Sequence, residues 1–280
     1  MEEILKILDK HLKKYYTIQN FNGVVILFTE DFLPFKDTQK DICRISSYYL
    51  ASHLTYLKIQ KLVKELNDNG ISAKKYDKSD LKQLAFQYCN LTRGKNNLLF
   101  DKKFGSYFVI GAIEIFKDLP PSKLSMGKEC LNCGQCIKKC PTGALNDGFC
   151  RDICLREIMN KKTFDVLYSE KLSNNILGCE ICQSVCPLND KVERVEIKRG
   201  LKELLSISNI LKDKSQTYKE LEKYIGKNYS RRTRILNLAL NSAKNTKDKS
   251  YLPQIFKFLN DECEHIRLNA KLAYEFLSGI

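Results

Sequence analysis

Four cysteines spaced Cys130-x2-Cys133-x2-Cys136-x3-Cys140, followed at once by Pro141, constrain this chain more than any other feature. Three thiols two residues apart can wrap a loop around one compact object, while the fourth is thrown to its other side. A second set, Cys179-x2-Cys182-x3-Cys186-Pro187, repeats the last three positions of that pattern. Nine of the twelve cysteines fall between Cys130 and Cys186. Disulfides would account for such density in a small secreted domain. Here the chain opens Met1-Glu2-Glu3-Ile4, without the basic-then-apolar order of a secretion signal. No run of about 18 apolar residues predicts a membrane span. A cytoplasmic protein is expected, where thiols stay reduced and clustered cysteines mean metal.

Zinc also takes Cys-x2-Cys pairs, but a tetrahedral site has no use for three consecutive steps followed by Cys-x3-Cys-Pro. That run is the one that carries two 4Fe-4S clusters, with the fourth cysteine serving the other cluster. One cluster then draws on Cys130, Cys133, Cys136 and Cys186. The other draws on Cys140, Cys179 and Cys182, and either Cys150 or Cys154 must complete it. Two clusters sharing a module in this way suit electron transfer. Cys43, Cys89 and Cys263 stand apart and read as ordinary buried thiols.

Around this module the expected fold class is α+β, in three parts. Residues 1–121 read as an α/β domain: an amphipathic helix over 4–16, a buried strand over Gly23–Phe28, and a helix from Ile45 to Leu66 stopped by Asn69-Gly70. Leu54, Leu57, Leu62 and Leu66 are expected to face inward along that helix. Ser79 is expected to cap a further helix ending near Tyr88, with Leu81, Leu84 and Ala85 inward. Two strands, 97–100 and 105–111, are expected to be joined by the turn at 101–103. Residues 122–190 hold the ferredoxin-like double-cluster module. Residues 191–280 read as paired helices of HEAT-like repeat type, with Ser215, Ser230 and Ser250 at helix starts and Pro253 in a first turn.

The formal net charge is +14, and residues 191–280 alone hold 19 Lys+Arg against 11 Asp+Glu. A basic C-terminal part suits a polyanion, nucleic acid first. Arg231, Arg232 and Arg234 stand at an expected helix start, where backbone amides also point outward, so phosphate could dock there. Lys227, Lys244 and Lys247 would extend the patch.

The residues Cys130–Ala144, ending Cys-Pro-Thr-Gly-Ala, the isolated Cys154, and Gly178–Pro187 together resemble the epoxyqueuosine reductase family. Gly94-Lys95-Asn96, Gly105-Ser106-Tyr107-Phe108 and Gly111 follow the family's order upstream, and Arg232–Asn241 is similar to its HEAT-like tRNA-binding tail. The resemblance implies an oxidoreductase of queuosine biosynthesis that uses cobalamin and two 4Fe-4S clusters, acts on tRNA and receives electrons from a reduced donor. It implies Cys154 as the missing ligand, so the second set becomes Cys140, Cys154, Cys179 and Cys182. It further suggests His53 with Gly94, Lys95 and Asn96 near a cofactor, and Asp77 as the acid that protonates the departing oxygen. There are departures. The chain is short at its N-terminus relative to the family. The family's Gly-Arg-Asp-Tyr-His falls on Ala51–Thr55, its Gly-Leu-Gly on Cys89–Leu91, and its acid falls on Lys75 unless a two-residue gap brings in Asp77. These bear on cobalamin and catalysis and leave the clusters untouched. The alternatives are a diverged double-cluster electron-transfer paralogue and a corrinoid-dependent reductase of a small molecule.

Overall fold

The computed structural model describes residues 1–161 and 166–279. The chain packs as two compact units that interleave along the sequence. The first comprises 1–33, 51–135 and 183–192, and the second 34–50, 136–182 and 193–280.

The first unit is built on a four-stranded antiparallel sheet in the order Tyr15–Asn20, Gly23–Asp31, Phe108–Ile115, Ala73–Lys75. The apolar run from Val24 to Phe28 is buried on both faces, because strand side chains alternate sides and each side meets its own core. Val24, Ile26 and Phe28 pack with Ile113, Ile115, Leu62, Leu66 and the inner face of helix Glu2–His11. Val25 and Leu27 pack with Ala112, Ala85, Phe86 and Leu91 on the other side. Phe28 pairs with Gly111 in the register, and a Cβ there would collide with the ring, so the glycine makes room for the phenylalanine.

Several expectations need correction in this unit. Helix Ser47–Asp68 forms and ends before Gly70 as expected, but Leu54 and Leu57 face solvent at 64% and 45% exposure; the inward residues are Ile59, Leu62 and Leu66. Helix Leu81–Tyr88 is preceded by Asp80 rather than capped by Ser79, and buries Ala85 and Phe86 while Leu81 and Leu84 are only partly covered. The segments near 97–100 and 105–111 do not form a hairpin. Leu99–Phe100 instead pairs with Thr92–Arg93, which pairs in parallel with Lys128–Glu129, the strand leading into Cys130.

The second unit is helical around one core, with a short parallel pair, Arg44–Ile45 beside Asn175–Leu177. Helices Arg199–Leu204, Ile207–Leu211, Ser215–Ile225, Arg232–Thr246, Leu252–Phe256 and Glu264–Ser278 follow in order. Helix Arg232–Thr246 is buried nearly all round, as a central core helix is. Two of its buried polar residues reach Ser169, far away in sequence: Asn241 Nδ2 donates to the Ser169 carbonyl at 3.0 Å, and Lys244 Nζ donates to Ser169 Oγ. Pro253 lies in a first helical turn as expected, whereas Ser215 is the first helical residue and Ser230 precedes the Arg231 cap. Cys43 and Cys89 are buried, but Cys263 is partly exposed at a helix start. Among the described residues, no helix is long and apolar enough to cross a membrane.

Candidate metal centre

In the second unit, four cysteines reach one region from three segments. Cys140 follows the short helix Gln135–Lys139. Cys154 caps helix Leu155–Ile158. Cys179 and Cys182 bracket the start of helix Ile181–Ser184, which follows strand Asn175–Leu177. Burial pushes the Cys179 thiol up to about 11, with the nearby Cys154 and Cys140 adding to the rise. Burial likewise pushes Cys182 to about 12, and Cys179, Cys154, Cys136 and Cys140 contribute. Thiols that perturb one another in this way are neighbours, and the groups acting on Cys179 and Cys182 are Cys140, Cys154 and, for Cys182, also Cys136. Cys150 is exposed and is not among the groups that act on either thiol.

The donor chemistry fits a cubane. Each thiolate ligand of a cubane binds a different iron, so its four ligands need not meet at one point. Among the described residues, no three His, Cys, Asp or Glu side chains converge as ligands of a single ion would. Thiols with raised pKa values must give up protons to iron, so loading releases protons.

The loop around Cys179 is held by its own contacts. Gly178 adopts φ +83°, and a Cβ there would lie 2.8 Å from Ser46 Cβ and 2.9 Å from a Tyr49 ring carbon. Glu180, between the two ligands, accepts the Ser46 hydroxyl at 2.6 Å, and burial raises its pKa against the opposing pull of Arg194, Arg44 and Arg156.

In the first unit, Cys130 is partly buried and Cys133 exposed. Asn132 and Gly134 both have positive φ (55° and 71°), which curls the loop. Cys186 starts the turn Pro187–Asn189. That turn is anchored by residues to which cysteine spacing does not point. Asn189 Oδ1 accepts the Ser106 N–H at 2.8 Å, Asn189 Nδ2 donates to Ser106 Oγ at 2.9 Å, and Gln183 Nε2 donates to the same hydroxyl at 2.9 Å. Gly105 admits this contact, because a Cβ would collide with Asn189 Oδ1. The Gly105-Ser106 pair is part of the family resemblance; its partner Asn189 carries no such signal.

The other candidates are more scattered. His53 is partly buried in helix Ser47–Asp68. Asp77 is exposed in the loop after Ala73–Lys75, and Lys75 is also exposed, with its ammonium over the Tyr56 ring at 5.4 Å. Gly94, Lys95 and Asn96 form a closed turn: the Gly94 N–H donates to the Leu98 carbonyl at 2.8 Å, and Asn96 Oδ1 accepts the Leu98 N–H at 3.3 Å. Arg231 is exposed and donates to Asn228 at 3.0 Å. Arg232 is clamped by Asp213 and Asp261, at 2.6 and 2.5 Å. Arg234 donates to Asn160 at 2.8 Å and lies over the Tyr229 ring. Lys244 is buried and leaves the expected patch.

The sequence profile of the 4Fe-4S double cluster binding domain matches residues 129–189. An epoxyqueuosine reductase of Listeria monocytogenes is 35% identical over 205 residues, covering 67% of this chain and 51% of the relative. The chain belongs to the epoxyqueuosine reductase family. It spans about half the length of the curated relatives it matches. The solved structure of the Streptococcus thermophilus epoxyqueuosine reductase superposes with a TM-score of 0.79 at 17% identity, covering 100% of this chain and 90% of that one. A second solved epoxyqueuosine reductase, holding an epoxyqueuosine-modified tRNA stem loop, gives 0.78 at 17%, covering 99% and 89%. At that identity the likeness is one of fold. For this member of the family, the matched profile establishes two 4Fe-4S clusters as its cofactors.

Proposed function

We propose that the chain is an iron–sulfur oxidoreductase that reduces epoxyqueuosine in tRNA to queuosine. The observation that carries this reading is the gathering of Cys140, Cys154, Cys179 and Cys182 in one compact unit, inside the segment that matches the double-cluster domain. Cys130, Cys133, Cys136 and Cys186 are the proposed ligands of the other cluster. Removing the epoxide oxygen takes two electrons and two protons; both carbon–oxygen bonds break, an alkene forms and the oxygen leaves as water. The clusters pass electrons singly from a reduced protein donor.

A corrin is the further group the family resemblance implies, and the Gly94–Asn96 turn does not make a seat for it. The Gly94 N–H and carbonyl and the Asn96 Oδ1 are engaged in closing that turn. The cavity beside that turn, lined by residues such as Lys82, Gln83, Arg93 and Asn97, measures about 270 Å³. That is below the ~300–1,000 Å³ typical of pockets for drug-sized ligands, and a corrin is larger. Asp77 lies exposed in the loop after Ala73–Lys75. No step is therefore assigned to a corrin or to Asp77.

The tRNA contact is proposed for the start of helix Arg232–Thr246, with Arg231 as its exposed cation. The C-terminal helices are proposed as HEAT-like, in a three-part organisation of 1–121, 122–190 and 191–280, and the protein as cytoplasmic. The test is anaerobic purification with added cobalamin, followed by restoration of queuosine in tRNA of a reductase-deficient strain. About eight irons per chain, as two 4Fe-4S clusters require, with queuosine restored supports the proposal. Eight irons without restoration points to an electron-carrying paralogue, and a bound corrin without restoration to a small-molecule reductase.

A further inference from the structure

Arg156 lies two residues beyond Cys154, on the short helix that this cysteine caps. Its guanidinium sits 4.3 Å from the Tyr48 ring centre and 5.5 Å from that of Tyr49. Tyr49 is buried and packs edge-on against Tyr48 and Tyr229. Two other arginines, Arg194 and Arg44, also act on Glu180. Arg44 is paired with Asp37, and Arg194 donates to the Phe35 carbonyl at 3.2 Å. Among the described residues, no carboxylate lies in ion-pair range of Arg156. The carboxylate that feels it is Glu180, between Cys179 and Cys182, which is bonded to Ser46. Aromatic rings hold a cation without neutralising it, and the partial burial of Arg156 reduces the screening of its field.

We infer that Arg156 is a tuning residue: its fixed positive charge raises the reduction potential of the cluster on Cys140, Cys154, Cys179 and Cys182 and makes that cluster the electron's resting place. A cluster gains one negative charge on reduction, so a nearby cation favours the reduced form, and net charge is one of the levers that set such potentials. The other cysteine set has no counterpart along the chain: the cations within two residues of Cys130, Cys133, Cys136 or Cys186 are Lys128 and Lys138, and both are exposed. Electrons entering at either cluster would therefore settle on the Cys140–Cys182 set. The inference rests on the two-cluster reading.

The experiment is an anaerobic redox titration of the loaded protein, followed by electron paramagnetic resonance, in wild type, R156Q and R156K. The wild type must show about eight irons and bleach with dithionite, and failure there removes the two-cluster reading itself. Given that, R156Q is expected to weaken the electron affinity of one cluster about tenfold, a fall of ~59 mV for a one-electron couple. The other cluster should move much less, and R156K should recover most of the difference. Unchanged potentials, equal falls at both clusters, or a rise would overturn the inference. A second measurement stands even if R156Q loses iron. The first signal to appear on reduction of the otherwise unaltered protein should be changed or lost in Cys182→Ser and kept in Cys186→Ser. The reverse pattern would refute the assignment.

Discussion

Replacing Arg232 with alanine separates scaffold from interface at the start of helix Arg232–Thr246. The guanidinium donates through Nε to Asp213 at 2.9 Å and through Nη2 to Asp213 and Asp261 at 2.6 and 2.5 Å. The arginine side chain is 39% exposed, but the acids are 18% and 9% exposed. Exposed pairs contribute ~0–1 kcal/mol, and breaking a buried one costs ~3–5 kcal/mol. Neither acid is orphaned by the change. Asp213 keeps the Tyr218 hydroxyl at 2.7 Å, and Asp261 keeps the Cys263 N–H at 2.9 Å. The cost should therefore lie between the two limits, at about 2 kcal/mol. That predicts a fall in melting temperature of roughly 4–8 °C by anaerobic circular dichroism. The hydrogen bond from Arg232 holds the Asp261 carboxyl below its ordinary value of 3.8. Stability from such a group is present above that ordinary value and lost as pH falls through the lowered one. R232A lacks this contribution, so its gap to wild type should narrow below about pH 4. A melting difference under about 1 °C, or a gap unchanged at low pH, would refute the ion-triad account.

Arg231→Ala should leave the melting temperature unchanged while weakening tRNA stem-loop binding and reducing its salt slope by about one unit; equal affinity would remove Arg231 from the interface. Cys154→Ser should lower iron content and Cys150→Ser should not, by iron assay on anaerobic protein, and the opposite ranking would exchange their roles. Gly178→Ala, forced to φ +83° against Ser46 and Tyr49, should cost about 2–3 kcal/mol in melting or denaturation experiments and reduce iron loading. Burial pushes the Cys43 thiol from its ordinary 9.0 to about 12. Its contribution is full below the ordinary value and lost as pH rises toward the raised one, so stability should decline between about pH 9 and 12, and Cys43→Ala should flatten that slope.

The cysteine motifs were legible because a cubane imposes local spacing, and the sequence carries that spacing without help from the rest of the fold. The buried strand at Gly23–Asp31 and the helix Ser47–Asp68 were legible for a similar reason, since each has a long apolar signal with a stop beside it. Leucine periodicity failed within that same helix. Leu54 and Leu57 share the spacing of Leu62 and Leu66 but lie on the side the sheet does not cover. The missing hairpin is a pairing choice. Neighbouring strands usually pair, yet Asp101 and Gly105 close the turn on themselves, at 2.7 and 3.0 Å, while Phe108–Ile115 pairs with two distant strands.

The arginine trio shows where a charge pattern stops being informative. Arg231, Arg232 and Arg234 are alike in sequence and differ in what distant residues offer them: an open face for Arg231, Asp213 and Asp261 for Arg232, and Tyr229 with Asn160 for Arg234. The cysteine loops carry the same lesson. Cys179 and Cys182 are held in place through Glu180 and Ser46, and Cys186 through Asn189, Gln183 and Ser106. Ligand spacing says which thiols can meet a cluster. Whether each loop is rigid enough to keep its thiol there depends on one buried hydroxyl, Ser46 in one unit and Ser106 in the other, and neither lies in a cysteine motif. Neither serine would be sought from the spacing of the cysteines, but both follow from the requirement that every buried polar group find a partner.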